Sequence, residues 1–320
     1  MKYPDFKVTR TCINRNRKFL IKLFSPLLNL KYFSICKKYD LIIFNSVEGW
    51  YFIPLLILLR LFTKTKVAIV HHHFAYLEFS GIKKIFYKVL EDSFLRLSNF
   101  IITVSPYIKD LCHKKYTHKN IRFWPIPFAD RIIRTEEIDK TGNLIYLGTI
   151  EPRKGLVYLI DALKILKDQK VSINLDIVGK VKDQIYYEEL MRIINKNDLH
   201  VRFIGFVDDD QKEKLLKKAS IFVFPSLLEG YGMVIREVMS YGLPIICFNN
   251  SAMPYLVKNN INGIIVENKN SKAFAEAIML IITDPNLRKR LSDGSYESTK
   301  ETITPLQYIE YVYSDLSSII

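Results

Sequence analysis

Between Phe224 and Pro244 the chain reads Phe-Pro-Ser-Leu-Leu-Glu-Gly-Tyr-Gly-Met-Val-Ile-Arg-Glu-Val-Met-Ser-Tyr-Gly-Leu-Pro, and few folds accommodate such a run. Just before it, Ala219-Ser-Ile-Phe-Val-Phe224 is a short apolar and β-branched segment, the pattern of a strand buried on both faces of a parallel sheet. After the loop, apolar residues at 234, 235, 238 and 239 recur at the spacing of one helix face, and Gly242-Leu-Pro244 stops the helix. Ile245-Ile246 then opens another strand. A loop carrying Glu229, Gly230 and Gly232 therefore joins a buried strand to a helix start.

Such a junction points free N–H groups and the positive end of a helix dipole into one crevice, where an anion, most often a phosphate, fits. Glycines at 230 and 232 let backbone approach a ligand closely. Glu229 stands in the loop and Glu237 lies within the second turn of the helix. One carboxylate can meet reacting or sugar hydroxyls, and the other can accept from a ribose. Taken singly, either glutamate reads equally as a cap or a helix former; taken together, they read as a site.

Glu, seven residues, Glu, with Gly-x-Gly inside, Gly-x-Pro beyond and a new strand after it, resembles the nucleotide-sugar site of the retaining glycosyltransferases of the GT-B fold, family four, also called glycosyl transferases group 1. The resemblance implies an α/β chain of two Rossmann-like domains whose parallel sheets face each other across a cleft. It implies that Glu229 lies by the donor sugar and that Glu237 holds the ribose hydroxyls, with Gly230, Tyr231, Gly232, Met233 and Val234 lining the donor.

A length of 320 residues exceeds what one core usually organises, and 49% hydrophobic residues suffice for two. The net charge of +14 suggests an anionic partner, whether nucleic acid, nucleotide phosphate or acidic lipid, although much of the excess is Lys and suits a solvated surface. Cys12, Cys36, Cys112 and Cys247 lie far apart without a C-x-x-C pair, against zinc and against a disulfide framework, so a reducing, cytoplasmic compartment is expected. The first residues lack the apolar core of a signal peptide, and the apolar window from Trp50 to Leu59 ends at Arg60, short of a span.

Basic and aromatic residues interleave over residues 1–38, and Arg15 to Leu27 has the spacing of an amphipathic helix that rests on an anionic membrane or packs on a sheet. The Gly-Gly loop with which the resembled family usually opens is missing. Tyr39–Asn45 reads as a strand, Trp50–Phe62 as a helix and Lys66–Val70 as a second strand, the alternation of a parallel α/β sheet. His71, His72 and His73 fall at the carboxyl end of that strand. Neighbours in an extended segment point to opposite faces, so the three do not form a mononuclear metal site by themselves. A neutral imidazole there can orient a sugar hydroxyl or receive an acceptor proton. The resemblance places His71 or His72 at the donor sugar, and the register leaves the choice open. Helix, strand and Ser105-Pro106 cap follow, and prolines at 125 and 127 mark a domain exit.

Asn143-Leu-Ile-Tyr-Leu-Gly148 opens a new strand, and Gly148-Thr-Ile-Glu-Pro-Arg-Lys-Gly155 leads into a helix. Arg153 and Lys154 at a helix start can grip a diphosphate, or be solvated charges in a turn. The loop resembles the family's phosphate loop, with Thr149 where many members place an arginine, so that Arg153 supplies the charge. Gly179 closes the next strand at a point where backbone can approach the nucleotide, and the resemblance sets the base against Gly205-Phe206-Val207, with Phe206 otherwise a core residue.

The expected organisation is an acceptor-side domain over residues 1–138, a nucleotide-sugar domain over 139–305 and a terminal helix over 306–320 returning to the first. The expected function is retaining transfer of a sugar, a hexose, from a nucleotide-diphosphate sugar to a saccharide or lipid-linked acceptor in cell-surface polysaccharide or glycolipid synthesis. Neither metal nor other cofactor is expected, nor nucleic acid; an anionic membrane surface is the expected further partner, the protein lying in the cytoplasm or on the inner face of the membrane. The rivals are a nucleotide-sugar-binding subunit without turnover, motivated by the missing Gly-Gly loop, and a nucleotide-sugar 2-epimerase of the same fold. A dehydrogenase is disfavoured because no G-x-G-x-x-G follows an early strand.

Overall fold

The computed structural model describes residues 26–45, 52–128 and 142–319. The expected helix over Arg15 to Leu27 falls almost wholly outside these residues, as does the segment joining Phe128 to Gly142. By their internal contacts the described residues form two compact units, one of residues 26–45, 52–70 and 75–101, the other of residues 71–74, 102–128 and 142–319.

The first part of the chain runs α1 (Pro26–Cys36), β1 (Leu41–Asn45), α2 (Ile53–Phe62), β2 (Lys66–His71), α3 (Gly81–Leu97), β3 (Phe100–Thr103), α4 (Pro106–Lys115) and β4 (Asn120–Phe123). A four-stranded sheet takes the order β1-β2-β3-β4, and β1 pairs with β2 in parallel from Leu41 opposite Lys66 to Asn45 opposite Val70. Ser105 caps α4 as the sequence indicates, its hydroxyl accepting from the N–H of Ile108 at 3.2 Å. Strand β4 was not expected. Asn120-Ile-Arg-Phe123 is only four residues long, carries a charge and stands two residues before a proline, so its pattern is too brief to declare a strand.

The second part runs β5 (Asn143–Leu147), α5 (Leu156–Asp168), β6 (Asn174–Val178), α6 (Gln184–Lys196), β7 (Val201–Gly205), α7 (Asp209–Lys218), β8 (Ile221–Phe224), α8 (Met233–Met239), β9 (Ile245–Phe248), α9 (Met253–Leu256) and β10 (Gly263–Val266), then α10 (Ser271–Thr283), α11 (Pro285–Glu297) and α12 (Pro305–Ile319). Its six strands lie in the order β10-β9-β8-β5-β6-β7 and pair in parallel throughout. Every residue of β8 and β9 is buried, which is why these strands read as unbroken apolar runs. The architecture is α/β with two parallel-sheet, Rossmann-like halves, as expected. Strand order runs outward in one direction from β5 and in the other from β8, so the topological switch point lies between these neighbours. Near the end of the chain Asp315 of α12 accepts from Arg122 Nη1 at 2.9 Å and from Trp124 Nε1 at 2.8 Å.

Candidate functional site

At the switch point the loops that leave β5 and β8 meet. Leu227 N–H donates to the carbonyl of Arg153 at 2.9 Å, and Arg153 Nη1 donates back to the carbonyl of Leu228 at 2.9 Å. Gly155 is at φ 64°, and a Cβ there would lie 2.1 Å from the Pro225 carbonyl oxygen, so only glycine lets the two loops close on each other. Between them stands Glu229. Its carboxylate is paired with the Lys154 ammonium, accepts from Ser226 Oγ at 2.9 Å and lies 4.0 Å from Arg153 Nη1. Lys154 is buried, with its ammonium 5.5 Å from the centroid of the Phe224 ring.

Glu151, to which the sequence pattern assigns no role, is the second anchor. It accepts from Thr149 Oγ1 at 2.7 Å and Arg153 Nη2 at 3.0 Å, and pairs with Lys182 Nζ at 3.0 Å. Burial opposes its charge, but the bonds from Thr149 and Lys182 and the Arg153 guanidinium prevail and hold its pKa below the usual carboxylate range. The loop after β8 is fixed from its far side, where Ser251 Oγ accepts from Glu229 N–H at 3.0 Å and Asn250 Nδ2 donates to the Leu227 carbonyl. Nothing in the spacing of Asn250 and Ser251 announced this, because the contact depends on the turn after β9.

The loop passes through Gly230 and Tyr231 to Gly232, which caps α8, and Ile235, Val238 and Met239 bury that helix. Met233 is exposed, and Val234 is half-buried against the core. Glu237 points to α7, where Lys212 Nζ lies 2.6 Å from its Oε1. At the start of α5 the Tyr186 hydroxyl accepts from Val157 N–H at 2.9 Å, so one donor of that helix end is already taken. Burial pushes the Tyr186 phenol up to about 12.

His71 ends β2 at 1% exposure, its ring meeting that of Phe74 edge-on at 4.4 Å. Burial, followed by the neighbouring His73, His72 and Lys115, lowers its pKa to about 3, so it is neutral at ordinary pH. His72 is half-buried, and its pKa too is lowered, by burial and then by His73. The structure thus separates the two histidines that the sequence left undivided. Backbone at Gly230 passes close to this segment: a Cβ there would stand 2.6 Å from the His72 carbonyl oxygen, and Ser105 Oγ donates to the Gly230 carbonyl at 2.6 Å.

A Cβ on Gly179 would lie 1.9 Å from the Gly148 carbonyl oxygen, so its glycine is required by the neighbouring strand end without reference to a ligand. Phe206 is exposed rather than core, with Lys180 Nζ 4.5 Å from its ring centroid, while Val207 packs on the core. Tyr231 donates to the Ile126 carbonyl at 3.2 Å, and burial raises its pKa. Among the described residues no group of His, Cys, Asp and Glu is arranged to hold a metal ion.

Residues 129–298 match the family model for glycosyl transferases group 1. The chain belongs to this family. Its relatives include an uncharacterized glycosyltransferase of Methanocaldococcus jannaschii, 29% identical over 205 residues that make up 64% of this chain and 55% of that protein. An O-antigen chain mannosyltransferase B of Escherichia coli is 27% identical over 49% of this chain and 41% of its own length. A phosphatidyl-myo-inositol mannosyltransferase of Mycobacterium leprae is 27% identical over 49% and 42% respectively. The group 1 chain spans about half the length of the curated relatives it matches. Among solved structures, Anabaena HepE in complex with UDP and glucose superposes with a TM-score of 0.75 at 19% identity over 91% of this chain and 81% of that one. Sucrose-phosphate synthase of Thermosynechococcus elongatus gives 0.76 at 20% identity over 97% and 82%. At these identities the likeness is one of fold, the GT-B arrangement of two parallel-sheet halves.

Proposed function

We propose that the chain is a retaining glycosyltransferase that moves a hexosyl group from a nucleotide-diphosphate sugar to a saccharide or lipid-linked acceptor in cell-surface polysaccharide or glycolipid synthesis. The observation that carries the reading is the convergence of Arg153, Lys154 and Glu229 beside Gly230–Gly232 at the switch point of the six-stranded sheet. A departing diphosphate accumulates negative charge, and two cations held at fixed positions stabilise it without reorganisation. Relatives whose names specify mannosyl transfer to O-antigen and to phosphatidyl-myo-inositol, and a fold neighbour holding UDP and glucose, support the same class.

In this reading the diphosphate sits against Arg153 and Lys154 near Gly148 and Gly179, the base by Phe206 and Val207, and the ribose hydroxyls at Glu237. The donor sugar lies by Glu229 and His72. The acceptor oxygen attacks the anomeric carbon on the face that the leaving group departs from. The C1–O bond breaks with its electron pair going to the diphosphate, and the acceptor proton passes to a phosphate oxygen. No metal takes part in this scheme. The residues up to 138 present the acceptor, those from 139 to 305 hold the donor, and residues 306–320 return to the first group. The protein works in the cytoplasm beside an anionic membrane surface. No helix among the described residues is long and apolar enough to cross a membrane.

A second reading, a nucleotide-sugar-binding subunit without turnover, uses the same donor contacts at Arg153, Lys154 and Glu237. Calorimetry and product analysis with a panel of uridine, guanosine and adenosine diphosphate sugars separate the two. Transfer or slow hydrolysis of one donor with the anomeric configuration kept supports the transferase; binding of a donor with neither supports the subunit. Absence of binding by every donor rejects both.

A further inference from the structure

Helix α3 (Gly81–Leu97) turns Glu91, Phe94 and Leu95 inward, yet its first two and a half turns place large apolar side chains in water. Ile82, Ile85, Phe86 and Val89 are 86%, 64%, 56% and 58% exposed. Their spacing of three, four and seven residues puts all four on one face, opposite the buried side. At roughly 100° per residue, Lys83 and Lys88 stand about 110° to either side of that apolar stripe, while Lys84 lies on the far side of the helix. No acidic residue occurs from Gly81 to Leu90. Helix α2 (Ile53–Phe62), which packs on α3, ends in exposed Leu61 and Phe62 with Arg60 and Lys64 beside them. A contiguous apolar ridge rimmed by cations is not the surface of an ordinary solvated helix.

We infer that the Ile82-Ile85-Phe86-Val89 face of α3, with Lys83 and Lys88 at its margins, seats the protein on an anionic lipid bilayer. Charge decides the occupant. A second copy would bring the same lysines against these, and residues 1–25 carry Lys2, Lys7, Arg10, Arg15, Arg17, Lys18 and Lys22 against a single Asp5. Both alternatives meet like charge, whereas phospholipid phosphates attract it and the acyl boundary takes the apolar stripe. Lysines at the margins keep their ammonium groups among the headgroups while their stems lie along the apolar surface. The inference rests on the membrane-side part of the proposed function and gives it a residue-level surface, different from the segment over Arg15 to Leu27.

The test uses the full chain and flotation with phosphatidylcholine vesicles, with and without phosphatidylglycerol. Expected are flotation with the anionic vesicles only and partial release by salt. Ile82→Ser/Phe86→Ser and Lys83→Glu/Lys88→Glu should each weaken the association at least tenfold, with circular dichroism and melting unchanged. A chain lacking residues 1–25 should still float. Variants that float like the parent overturn the inference, as does loss of flotation on removing residues 1–25 alone. So does a parent that is dimeric in solution and becomes monomeric in the serine variant without any effect on vesicles. Binding of UDP, measured on the same variants, stands apart: its absence in the parent rejects the donor site but leaves the lipid surface standing, and unchanged UDP binding in variants that no longer float confirms that the two are separate.

Discussion

The Lys212 ammonium of α7 lies 2.6 Å from Glu237 Oε1 on α8 and 2.8 Å from Asp209 Oδ1, so the carboxylate assigned to the ribose is held from the neighbouring helix. Burial opposes the Lys212 charge, but the bonds to Asp209 and Glu237 raise its pKa overall. Both side chains remain about a third accessible, which limits the strength of the pair. Lys212→Met is therefore expected to raise the donor KM by roughly two- to fivefold, the effect of a partly exposed ion pair, with kcat near the parent's. Glu237→Gln should raise KM further, while Glu229→Gln should lower kcat more than affinity. A donor lacking both hydroxyls, a 2′,3′-dideoxyribose nucleotide sugar, should be insensitive to both Lys212→Met and Glu237→Gln. Equal losses for both ribose forms remove Glu237 from the ribose.

The pair formed by Lys154 and Glu229 is of another kind, because both side chains are nearly buried. Removal of one charge strands the other away from water. Lys154→Met should destabilise the fold by about 1–3 kcal/mol, the scale of an unsatisfied buried polar group. Combined with Glu229→Gln it should cost less than the sum of the single changes, by about 1 kcal/mol. Urea unfolding of the four proteins checks this, with the denaturant slope unchanged. In parallel, Arg153→Ala should weaken nucleoside diphosphate binding by about 1–3 kcal/mol, the value of a charged hydrogen bond. Unchanged calorimetry for Arg153→Ala would sink its diphosphate role.

The strands and helices around this site were legible because they are locally determined. Ile221–Phe224 and Ile245–Phe248 are apolar on both faces, and Gly232 and Gly242 bracket the helix between them, so periodicity alone finds the unit. The strand order that brings β5 beside β8 is a long-range property, and with it the grip of Arg153 on Leu228 and the role of Glu151. Lys212 was invisible for the same reason: it sits in a charged exposed helix whose pattern is that of any solvated surface. His71 and His72 could not be told apart from the strand pattern, since a one-residue change of register exchanges their faces. Phe206, an aromatic after a strand, resembles core in sequence; its exposure follows from its place beyond β7, the edge strand of the sheet.

Gly155→Ala tests whether the two loops depend on their closest approach. The substitution meets both a left-handed backbone, φ 64°, and the Pro225 carbonyl at 2.1 Å from the new Cβ. The conformation alone costs about 1 kcal/mol or more, and the contact requires one loop to move. Expected are a loss of about 2–4 kcal/mol in unfolding free energy and a larger proportional loss of nucleotide affinity than Gly142→Ala, where the nearest atom is 4.0 Å away. Equal effects at the two glycines would mean that the loop contact carries no weight.

His71 is buried and its pKa is lowered to about 3 from an ordinary 6.5, chiefly by burial and then by His73, His72 and Lys115. Above the ordinary value the imidazole is neutral in folded and unfolded chains alike, and stability is independent of it. As pH falls below about 6.5 the unfolded chain takes up a proton that the native chain refuses until about 3, so stability drops through that window. Each such group contributes a slope approaching 1.4 kcal/mol per pH unit. His72, whose pKa is also lowered, adds in the same direction. Carboxylates dominate the lower part of the range, so the informative comparison lies between about pH 6.5 and 5, above their ordinary values. Urea titrations there should show a shallower loss of stability in His71→Gln than in the parent, since glutamine does not titrate. The parent and the variant losing stability in parallel would mean that His71 already carries its proton in the native state, and the buried, neutral imidazole at the end of β2 would have to be abandoned.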